Sequence, residues 1–268
     1  MELITMHTHS TFCGHARDSL CDMVQAAANA GVRSFAATEH YPLPERYDTS
    51  KTSAMPLSRL DEYKQAVLGE RAKYPEMDIL LGTELDWLGK YETRDLLHGA
   101  LDDFDIVLGS VHFIDTWLIN SSRFVEEWDR RSVDAVWTEY INLWCDAAVS
   151  DVPFNVMAHP DVCKKFGFFP SFDLTDSYKR MAEAARMGNR MIEVNTSGLR
   201  TPCGEFYPGI NLLKEFRKAE IPCTVGTDAH NKDVVAAGIR EAYDYMREAG
   251  YTEVTVFTPG GGTRTMLL

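Results

Sequence analysis

Short apolar runs alternate with longer amphipathic stretches along most of the chain. The runs are bounded by polar or turn-forming residues, a pattern typical of strands that are buried on both faces of a sheet. Seven runs lie at residues 2–7, 33–38, 78–85, 105–112, 155–159, 191–195 and 222–227, and an eighth lies at 253–257.

The stretches between the runs carry apolar residues at helical spacing. The apolar residues at 57, 60, 63 and 67 fall on one helical face, and this pattern stops before Pro75. Ser19 is a suitable N-cap for the first helix, and Gly31 is a suitable C-terminal stop. The predicted helices span residues 19–30, 57–73, 132–149, 174–187, 209–219 and 233–249.

Regular alternation of strands and helices predicts parallel βα units. About seven units without a Gly-x-Gly-x-x-Gly motif favour a closed barrel over a dinucleotide-binding sheet. The expected fold is therefore α/β, a TIM-like (β/α)7 barrel. No linker is evident, so residues 1–268 are expected to form a single domain, with Gly260–Gly262 in a flexible tail.

Composition and charge narrow the range of functions. Of the 268 residues, 45% are hydrophobic and 25% are charged, which is typical of a globular protein and excludes disordered or collagen-like chains. Asp and Glu number 40 against 27 Lys and Arg, giving a formal net charge of −13. So acidic a chain is a poor candidate for binding nucleic acid or an anionic membrane. A phosphate-binding site in this chain would require metal cations to supply positive charge.

Targeting signals are not evident. The N-terminal residues lack a basic region followed by an apolar stretch, and no apolar run has the length of a membrane helix. The six cysteines are scattered and form no Cys-x-x-Cys pair. We therefore expect a cytoplasmic protein with reduced cysteines.

Seven of the eight histidines lie at or just after the ends of predicted strands, together with Glu39, Glu84 and Asp228. Because the carboxyl ends of barrel strands meet on one face, these side chains are expected to form one cluster. The eighth, His98, lies in a helix-like stretch and is expected to be an ordinary helix residue. The strand-end histidines are His7, His9, His15, His40, His112, His159 and His230.

Imidazole and carboxylate groups together suit zinc, iron or manganese. The number of candidate ligands exceeds the need of one tetrahedral ion and predicts two or three metals, with Glu84 able to bridge two of them. Closely spaced metals produce an attacking hydroxide near neutral pH and stabilise the charge on phosphoryl oxygens. Asp228 or a nearby histidine is placed to pass a proton to the leaving alkoxide. The expected catalytic residues are Glu84, Asp228 and His230.

The strand-end residues also occur as an ordered set of motifs that spans nearly the whole chain. The set comprises His7-Thr-His9-Ser10, His15, Glu39-His40, Glu84, Gly109-Ser-Val-His112, His159 and Asp228-Ala-His230. It resembles the polymerase and histidinol phosphatase (PHP) family, and residues 157–166 and 195–208 are similar to those of its histidinol-phosphate phosphatases. The resemblance implies a distorted seven-stranded barrel of PHP type that holds three divalent ions at its mouth.

The resemblance further implies a ligand set. A first ion would be held by His7, His9, Glu84 and Asp228. Glu84 would bridge to a second ion completed by His112 and His159, and a third ion would be held by His15, His40 and His230. Glu39 has no ligand role in this pattern and is expected to support its neighbour His40.

The implied reaction is hydrolysis of L-histidinol phosphate to L-histidinol and phosphate, a step of histidine biosynthesis, by a metal-bridging hydroxide. The histidinol phosphatases of this family hold the phosphate with arginines after the fifth and sixth strands. Arg200 fits the second position, whereas Lys164 and Lys165 occupy the first, with at most one expected to face the site. Arg17 is a further candidate for substrate binding.

Because lysine lacks the planar fork of arginine, the substitution leaves alternative substrates open. These are other small phosphomonoesters or cyclic phosphodiesters, such as nucleotide or sugar phosphates. Amidohydrolase-like barrels also begin with His-x-His, but His15, Glu39-His40 and Glu84 disfavour that class. A metal-storage or regulatory barrel is the non-enzymatic alternative.

Overall fold

The computed structural model describes residues 1–97 and 101–268, and its central feature is a seven-stranded parallel sheet that curls into a nearly closed barrel. Neighbouring strands pair in chain order, which confirms the predicted α/β barrel. The barrel strands are β1 (Leu3–Thr5), β2 (Val32–His40), β3 (Asp78–Asp86), β4 (Ile106–Ser110), β5 (Val156–Met157), β6 (Met191–Asn195) and β7 (Cys223–Gly226).

Backbone hydrogen bonds join the chain after β1 to the chain after β7. The Met6 N–H donates to the Val225 carbonyl at 2.8 Å, and the Asp228 N–H donates to the His7 carbonyl at 2.8 Å. The His9 N–H donates to the Ala229 carbonyl at 2.9 Å. These bonds complete the barrel and bring His7, His9 and Asp228 to one side of its mouth.

The helices cover the outside of the barrel. All six predicted helices are present within the described residues. One further helix, Lys90–Leu96, lacks a clear sequence pattern. His98, which was expected to lie in a helix, is outside the described residues. Residues 232–234 form a separate 3₁₀ turn, so the last helix begins later than expected, after Gly238 with its left-handed φ of 80°. The helices are α1 (Leu20–Asn29), α2 (Leu60–Lys73), α3 (Lys90–Leu96), α4 (Val133–Val149), α5 (Thr175–Met187), α6 (Ile210–Lys218) and α7 (Ile239–Glu248).

Ser19 caps α1 as predicted. Its side chain accepts a hydrogen bond from the Asp22 N–H at 3.2 Å, and Asp22 Oδ2 accepts one from the Ser19 N–H at 3.3 Å. This reciprocal arrangement satisfies two amides that the first helical turn leaves without partners.

The last residues form an antiparallel hairpin, so the prediction of a flexible tail at Gly260–Gly262 is wrong. Strand Glu253–Thr258 pairs with strand Gly262–Leu267. Gly260 and Gly261, with φ of 90° and 77°, form the turn, a conformation that glycine adopts without steric cost. The Gly260 N–H donates to Asp105 Oδ1 at 2.5 Å, which ties the turn to the barrel.

The aromatic residues between 113 and 144 mostly pack in the core. Trp128, Trp137, Tyr140 and Trp144 are buried, whereas Phe124 is exposed and borders the barrel mouth. Within the described ranges, the structure contains no helix that is long and apolar enough to cross a membrane.

Candidate metal centre

A cleft of about 610 Å³ opens at the mouth of the barrel. His7 and His9 are buried next to it, where the chain after β1 is hydrogen-bonded to the chain after β7. Side chains that follow the ends of most barrel strands line the cleft. Those predicted ligands that line it are His15, His40, Glu84, His112, His159, Asp228 and His230.

The first predicted ligand set consists of four donor atoms that lie close together. His7 Nε2 and His9 Nε2 are 3.0 Å apart, and they lie 3.4 Å and 3.3 Å from Glu84 Oε2. Asp228 Oδ1 lies 3.7 Å from His7 Nε2 and 3.3 Å from His9 Nε2. Ligands of a tetrahedral zinc ion, at about 2.0–2.1 Å from the metal, are separated by about 3.3 Å. The spacing of these four atoms matches that value.

The hydrogen bonding of Glu84 provides a test of whether this set fits a cation. Glu84 is buried, and its Oε2 atom has no hydrogen-bond partner within the described part of the chain. Two imidazole nitrogens at 3.0 Å, such as those of His7 and His9, can share only one proton. A buried carboxylate oxygen surrounded by imidazole nitrogens needs a positive charge, so the residues present fit a divalent ion.

The other oxygen of Glu84 belongs to the second predicted set. Glu84 Oε1 lies 2.8 Å from His159 Nε2 and 3.5 Å from His112 Nε2, and the two imidazole nitrogens are 3.2 Å apart. Ser110 Oγ also donates to Glu84 Oε1, at 2.5 Å. The two oxygens of Glu84 therefore face different histidine sets.

The third predicted set is less closed than the other two. His15 Nε2 and His230 Nε2 are 2.9 Å apart, and the His40 ring stacks on His15 with a centroid distance of 5.2 Å. However, His40 Nδ1 lies 2.9 Å from Glu84 Oε2 and therefore faces the first set. The structure brings all three histidines together, with His40 placed between two sets.

Two carboxylates that were not predicted from the sequence contact the Nδ1 atoms of predicted histidine ligands, on the side of the ring away from the cluster. Buried Glu193 lies 2.9 Å from His7 Nδ1 through Oε1, and its Oε2 accepts the His159 N–H at 2.9 Å. Asp86 Oδ1 lies 2.9 Å from His112 Nδ1. A carboxylate on the far nitrogen fixes the tautomer and direction of a ligating histidine. Each had a weak signal in the sequence: Glu193 interrupts an apolar run, and Asp86 follows Glu84 at the alternate strand position.

Glu39 has a different role from the one expected. It does not support His40; instead its Oε1 accepts the Ser10 N–H at 2.7 Å and the Ser10 hydroxyl at 2.6 Å. Burial raises the pKa of Glu39 to about 7, although His9 and Ser10 act in the opposite direction. Glu39 therefore orders the backbone directly after His9.

The backbone is also adapted to this site. His159 and Asp228 have left-handed φ values of 26° and 49°, a conformation that costs on the order of 1–3 kcal/mol for a residue with a Cβ. Gly226 lies so close to its neighbours that a Cβ would overlap Glu193 Oε1 and the Cβ of His7. Glycine is thus required at position 226, where β7 passes His7 and its partner Glu193.

The protonation of the histidines differs between the sets. Burial lowers the pKa of His9, but the neighbouring carboxylates of Asp228 and Glu84 outweigh burial and raise this pKa to about 9. By contrast, burial together with the neighbouring His40 and His9 lowers the pKa of His15 to about 4. A metal ion entering the first set must therefore displace protons, whereas His15 is already neutral at pH 7.

The two lysines predicted to bind substrate point to different places. Lys165 lines the metal cleft. Lys164 is buried outside it, where its Nζ lies 3.0 Å from Asp161 Oδ2 and 2.9 Å from Glu205 Oε2. Lys164 ends the 3₁₀ turn Val162–Lys164 and Lys165 follows it, so the two side chains diverge and only Lys165 reaches the cleft. This arrangement corrects the expectation for Lys164.

The two arginines lie at the edge of the site. Arg200 donates through Nη2 to the Thr227 carbonyl at 2.7 Å, next to Asp228. Arg17 is exposed, and its backbone N–H donates to the His230 carbonyl at 2.9 Å. Neither is among the described residues that line the cleft. The substrate contacts expected of Arg17 and Arg200 therefore stay predictions.

Comparison with known proteins places this arrangement in a family. A model of the PHP domain matches residues 5–197. The chain belongs to the PHP domain family. A Deinococcus radiodurans member named probable histidinol-phosphatase is 31% identical to it, over 94% of this chain and 96% of its own length. The histidinol-phosphatase of Bacillus subtilis is 27% identical, over 90% of this chain and 97% of its own.

A solved structure of the same PHP type has the same fold. Histidinol phosphate phosphatase from Lactococcus lactis, crystallised with zinc, L-histidinol and phosphate, superimposes with a TM-score of 0.81 at 22% identity. The match covers 98% of this chain and 99% of that chain. The expected PHP-type barrel is thereby confirmed.

Proposed function

We propose that this PHP protein is a metal-dependent phosphatase that hydrolyses L-histidinol phosphate to L-histidinol and phosphate. The observation that carries the proposal is Glu84, whose two oxygens face two histidine sets at an open cleft. Such a centre is typical of enzymes that hydrolyse phosphate esters. The choice of substrate is supported by relatives that are named as histidinol-phosphatases and match the chain nearly from end to end.

The proposed cofactors are three divalent ions drawn from zinc, iron and manganese. The first would be held by His7, His9, Glu84 and Asp228, and the second by Glu84, His112 and His159. The third would be held by His15, His40 and His230, with His40 turning from Glu84 toward the other two. When bound, the ions would supply positive charge to the phosphoryl oxygens and lower the pKa of water in the cleft.

The carboxylate of Asp228 is the proposed proton carrier. Its Oδ2 accepts a hydrogen bond from Ser197 Oγ at 3.2 Å, while Oδ1 lies 3.6 Å from His230 Nδ1. Asp228 and His230 line the cleft and are partly exposed. A proton can therefore pass between these two residues and the leaving alkoxide of the ester. Asp228 and His230 therefore combine ligand and proton-transfer roles in this proposal.

Lys165 is the proposed contact to the phosphate within the cleft. Burial lowers the pKa of Lys165, with nearby Asp228 acting in the opposite direction. A bound phosphate dianion would stabilise the ammonium form, so substrate binding and protonation of Lys165 are coupled. Arg200 donates to the Thr196 and Thr227 carbonyls, at 3.3 Å and 2.7 Å, and does not line the cleft in this structure.

The test is hydrolysis by the metal-loaded protein of L-histidinol phosphate and of a panel containing a nucleotide monophosphate, a sugar phosphate and a cyclic phosphodiester. We expect kcat/KM to be at least tenfold higher for L-histidinol phosphate. Lys165→Ala should raise KM, whereas Lys179→Ala, on the exposed face of α5, should leave it unchanged. A higher kcat/KM for a panel ester would refute the assigned substrate.

A second candidate is a phosphatase acting on a more anionic ester, such as a nucleotide or sugar phosphate. It is favoured by the cationic side chains of Arg46, Arg123 and Lys165, which all line the cleft. Arg46 is paired with Glu92, and Arg123 donates to Ser50 Oγ at 3.0 Å, so both are held in place. Preference within the same panel separates the two candidates.

We also propose that residues 1–268 act as one domain in the cytoplasm. The terminal hairpin supports the single domain, because Arg264 Nη2 pairs with Glu2 Oε2 at 2.6 Å and links the two ends of the chain. All six cysteines are free, which is consistent with a reducing compartment.

A further inference from the structure

A second cavity, of about 480 Å³, lies beside the metal cleft between the ends of α4, α5, α6 and α7. Its walls include the aromatic rings of Trp137, Tyr178 and Tyr245. At its rim lie Phe169 and Leu199, which are 50% and 39% exposed. Among the described residues, none lines both cavities, so the second cavity is separate from the metal cleft.

The ionisable groups of this cavity are mainly acidic. Asp161, Glu205 and Glu248 line it, together with a single cation, Lys164. Lys164 is held between the first two carboxylates, at 3.0 Å from Asp161 and 2.9 Å from Glu205. Glu248 also lies 3.9 Å from Lys214 Nζ at its exposed end. The residues that line the cavity are thus three carboxylates and one ammonium.

One carboxylate oxygen in the wall lacks a partner. Asp161 is 1% exposed, and its Oδ2 accepts the Gly209 N–H at 2.9 Å in addition to Lys164. Its Oδ1 has no hydrogen-bond partner within the described ranges. A buried carboxylate oxygen without a donor is unfavourable, and a ligand that donates a hydrogen bond would satisfy it.

We propose that this cavity binds a small organic cation, an ammonium or imidazolium group carried on an apolar body. Aromatic faces attract cations, and the surplus of carboxylates excludes anions. Lys164 itself makes a cation–π contact, since its Nζ lies 5.6 Å from the centre of the Tyr207 ring. The exposed apolar rim would cover the body of such a ligand, and the volume is that of a small-molecule site.

The two cavities share one loop. His159 belongs to the metal centre, Asp161 and Lys164 face the second cavity, and Lys165 faces the metal cleft. A cation in the second cavity would therefore contact the loop that carries His159 without occupying the place of the phosphate.

The probe for this site is benzylammonium, which is protonated at pH 7 and can donate a hydrogen bond to Asp161 Oδ1. Titration of the metal-loaded full chain by calorimetry should give one saturable site, and saturating inorganic phosphate should not displace the cation. Neutral benzyl alcohol should bind at least about fivefold more weakly, because it lacks the charge that the aromatic rings and carboxylates recognise. Displacement by phosphate, or equal binding of benzyl alcohol, would overturn the proposal.

Two variants identify the cavity as the place of binding. Tyr178→Leu removes an aromatic face and should weaken the cation by about fivefold to thirtyfold. Glu248→Gln, at a rim position that is 64% exposed, should weaken it by about twofold to fivefold without affecting folding. Glu241→Gln lies on the same helix outside the cavity and should have no effect. Unchanged affinity in Glu248→Gln and in folded Tyr178→Leu would also overturn the proposal.

Discussion

Replacing Glu193 by glutamine is expected to weaken metal binding by about tenfold to hundredfold while preserving the barrel. Glu193 Oε1 lies 2.9 Å from His7 Nδ1, and Oε2 accepts N–H bonds from His159 at 2.9 Å and from Asn195 at 3.0 Å. Glutamine has the same shape, but its NH₂ group must face at least one of these donors. A buried donor without an acceptor costs about 1–3 kcal/mol, and here two of the three donors belong to His7 and His159, which are in different ligand sets.

The sign of the pH dependence can also be derived. Burial lowers the pKa of His7, but Glu193, Glu84 and Asp228 outweigh it and raise this pKa well above its ordinary value. Removing the charge of Glu193 therefore lowers the pKa of His7 and weakens the competition between protons and metal. This effect opposes the loss of the hydrogen bond, and it is largest at low pH. The deficit in Glu193→Gln should accordingly be greater at pH 8.5 than at pH 6.5.

The assay is equilibrium dialysis against buffered zinc followed by elemental analysis of zinc per chain at both pH values. Glu183→Gln is the matched control, because Glu183 lies on the exposed face of α5 and pairs with Arg186, at 2.6 Å. Asp86→Asn should produce a similar loss through His112 and serves if Glu193→Gln does not fold. Zinc affinity within about threefold of the wild type at pH 8.5 in folded Glu193→Gln would refute the reasoning, given the tenfold minimum expected.

Three other perturbations test neighbouring parts of the site. Asp48 accepts the N–H groups of residues 52–54 and so holds the Thr52 carbonyl, which lies 3.0 Å from His15 Nδ1. Asp48→Ala should therefore selectively remove the third of the proposed ions, which His15 would help to hold. Elemental analysis should then give one ion fewer per chain, and loss of all ions or of none would contradict this role. Gly226→Ala should destabilise the fold by about 1–3 kcal/mol, measured by urea unfolding, because its Cβ would overlap the histidine–carboxylate pair. Wild-type stability in this variant would show that β7 can move away from Glu193. Because the pKa of His9 is raised to about 9, zinc binding at pH 7 should release at least about one proton per chain. Calorimetry in two buffers of different ionisation enthalpy measures this release, and identical heats in both buffers would exclude it.

The barrel and the convergence of ligands follow largely from local sequence patterns. A strand buried on both faces is a continuous apolar run, and the end of each run marks where the chain reaches the barrel mouth. Histidines at seven such positions therefore indicate a common site without knowledge of which strands are neighbours. The N-cap at Ser19 is equally local, because its partner Asp22 is only three residues away.

Long-range geometry decided the remaining features. The distinction between Lys164 and Lys165 depends on the direction of a 3₁₀ turn, which alternation along a strand does not indicate. Gly260–Gly262 suggested flexibility because glycine permits many conformations, but pairing with Glu253–Thr258 and the bond to Asp105 select one of them.

The sequence by itself determined the type of fold and the kind of chemistry, because both depend on residue types at strand ends. Only the tertiary structure decided which groups support the ligands. Glu193 contacts His7 across 186 positions of the chain, and this contact exists only because the barrel closes. Closure brings β1 against β7, places Gly226 behind His7, and joins in one site residues that the sequence keeps far apart.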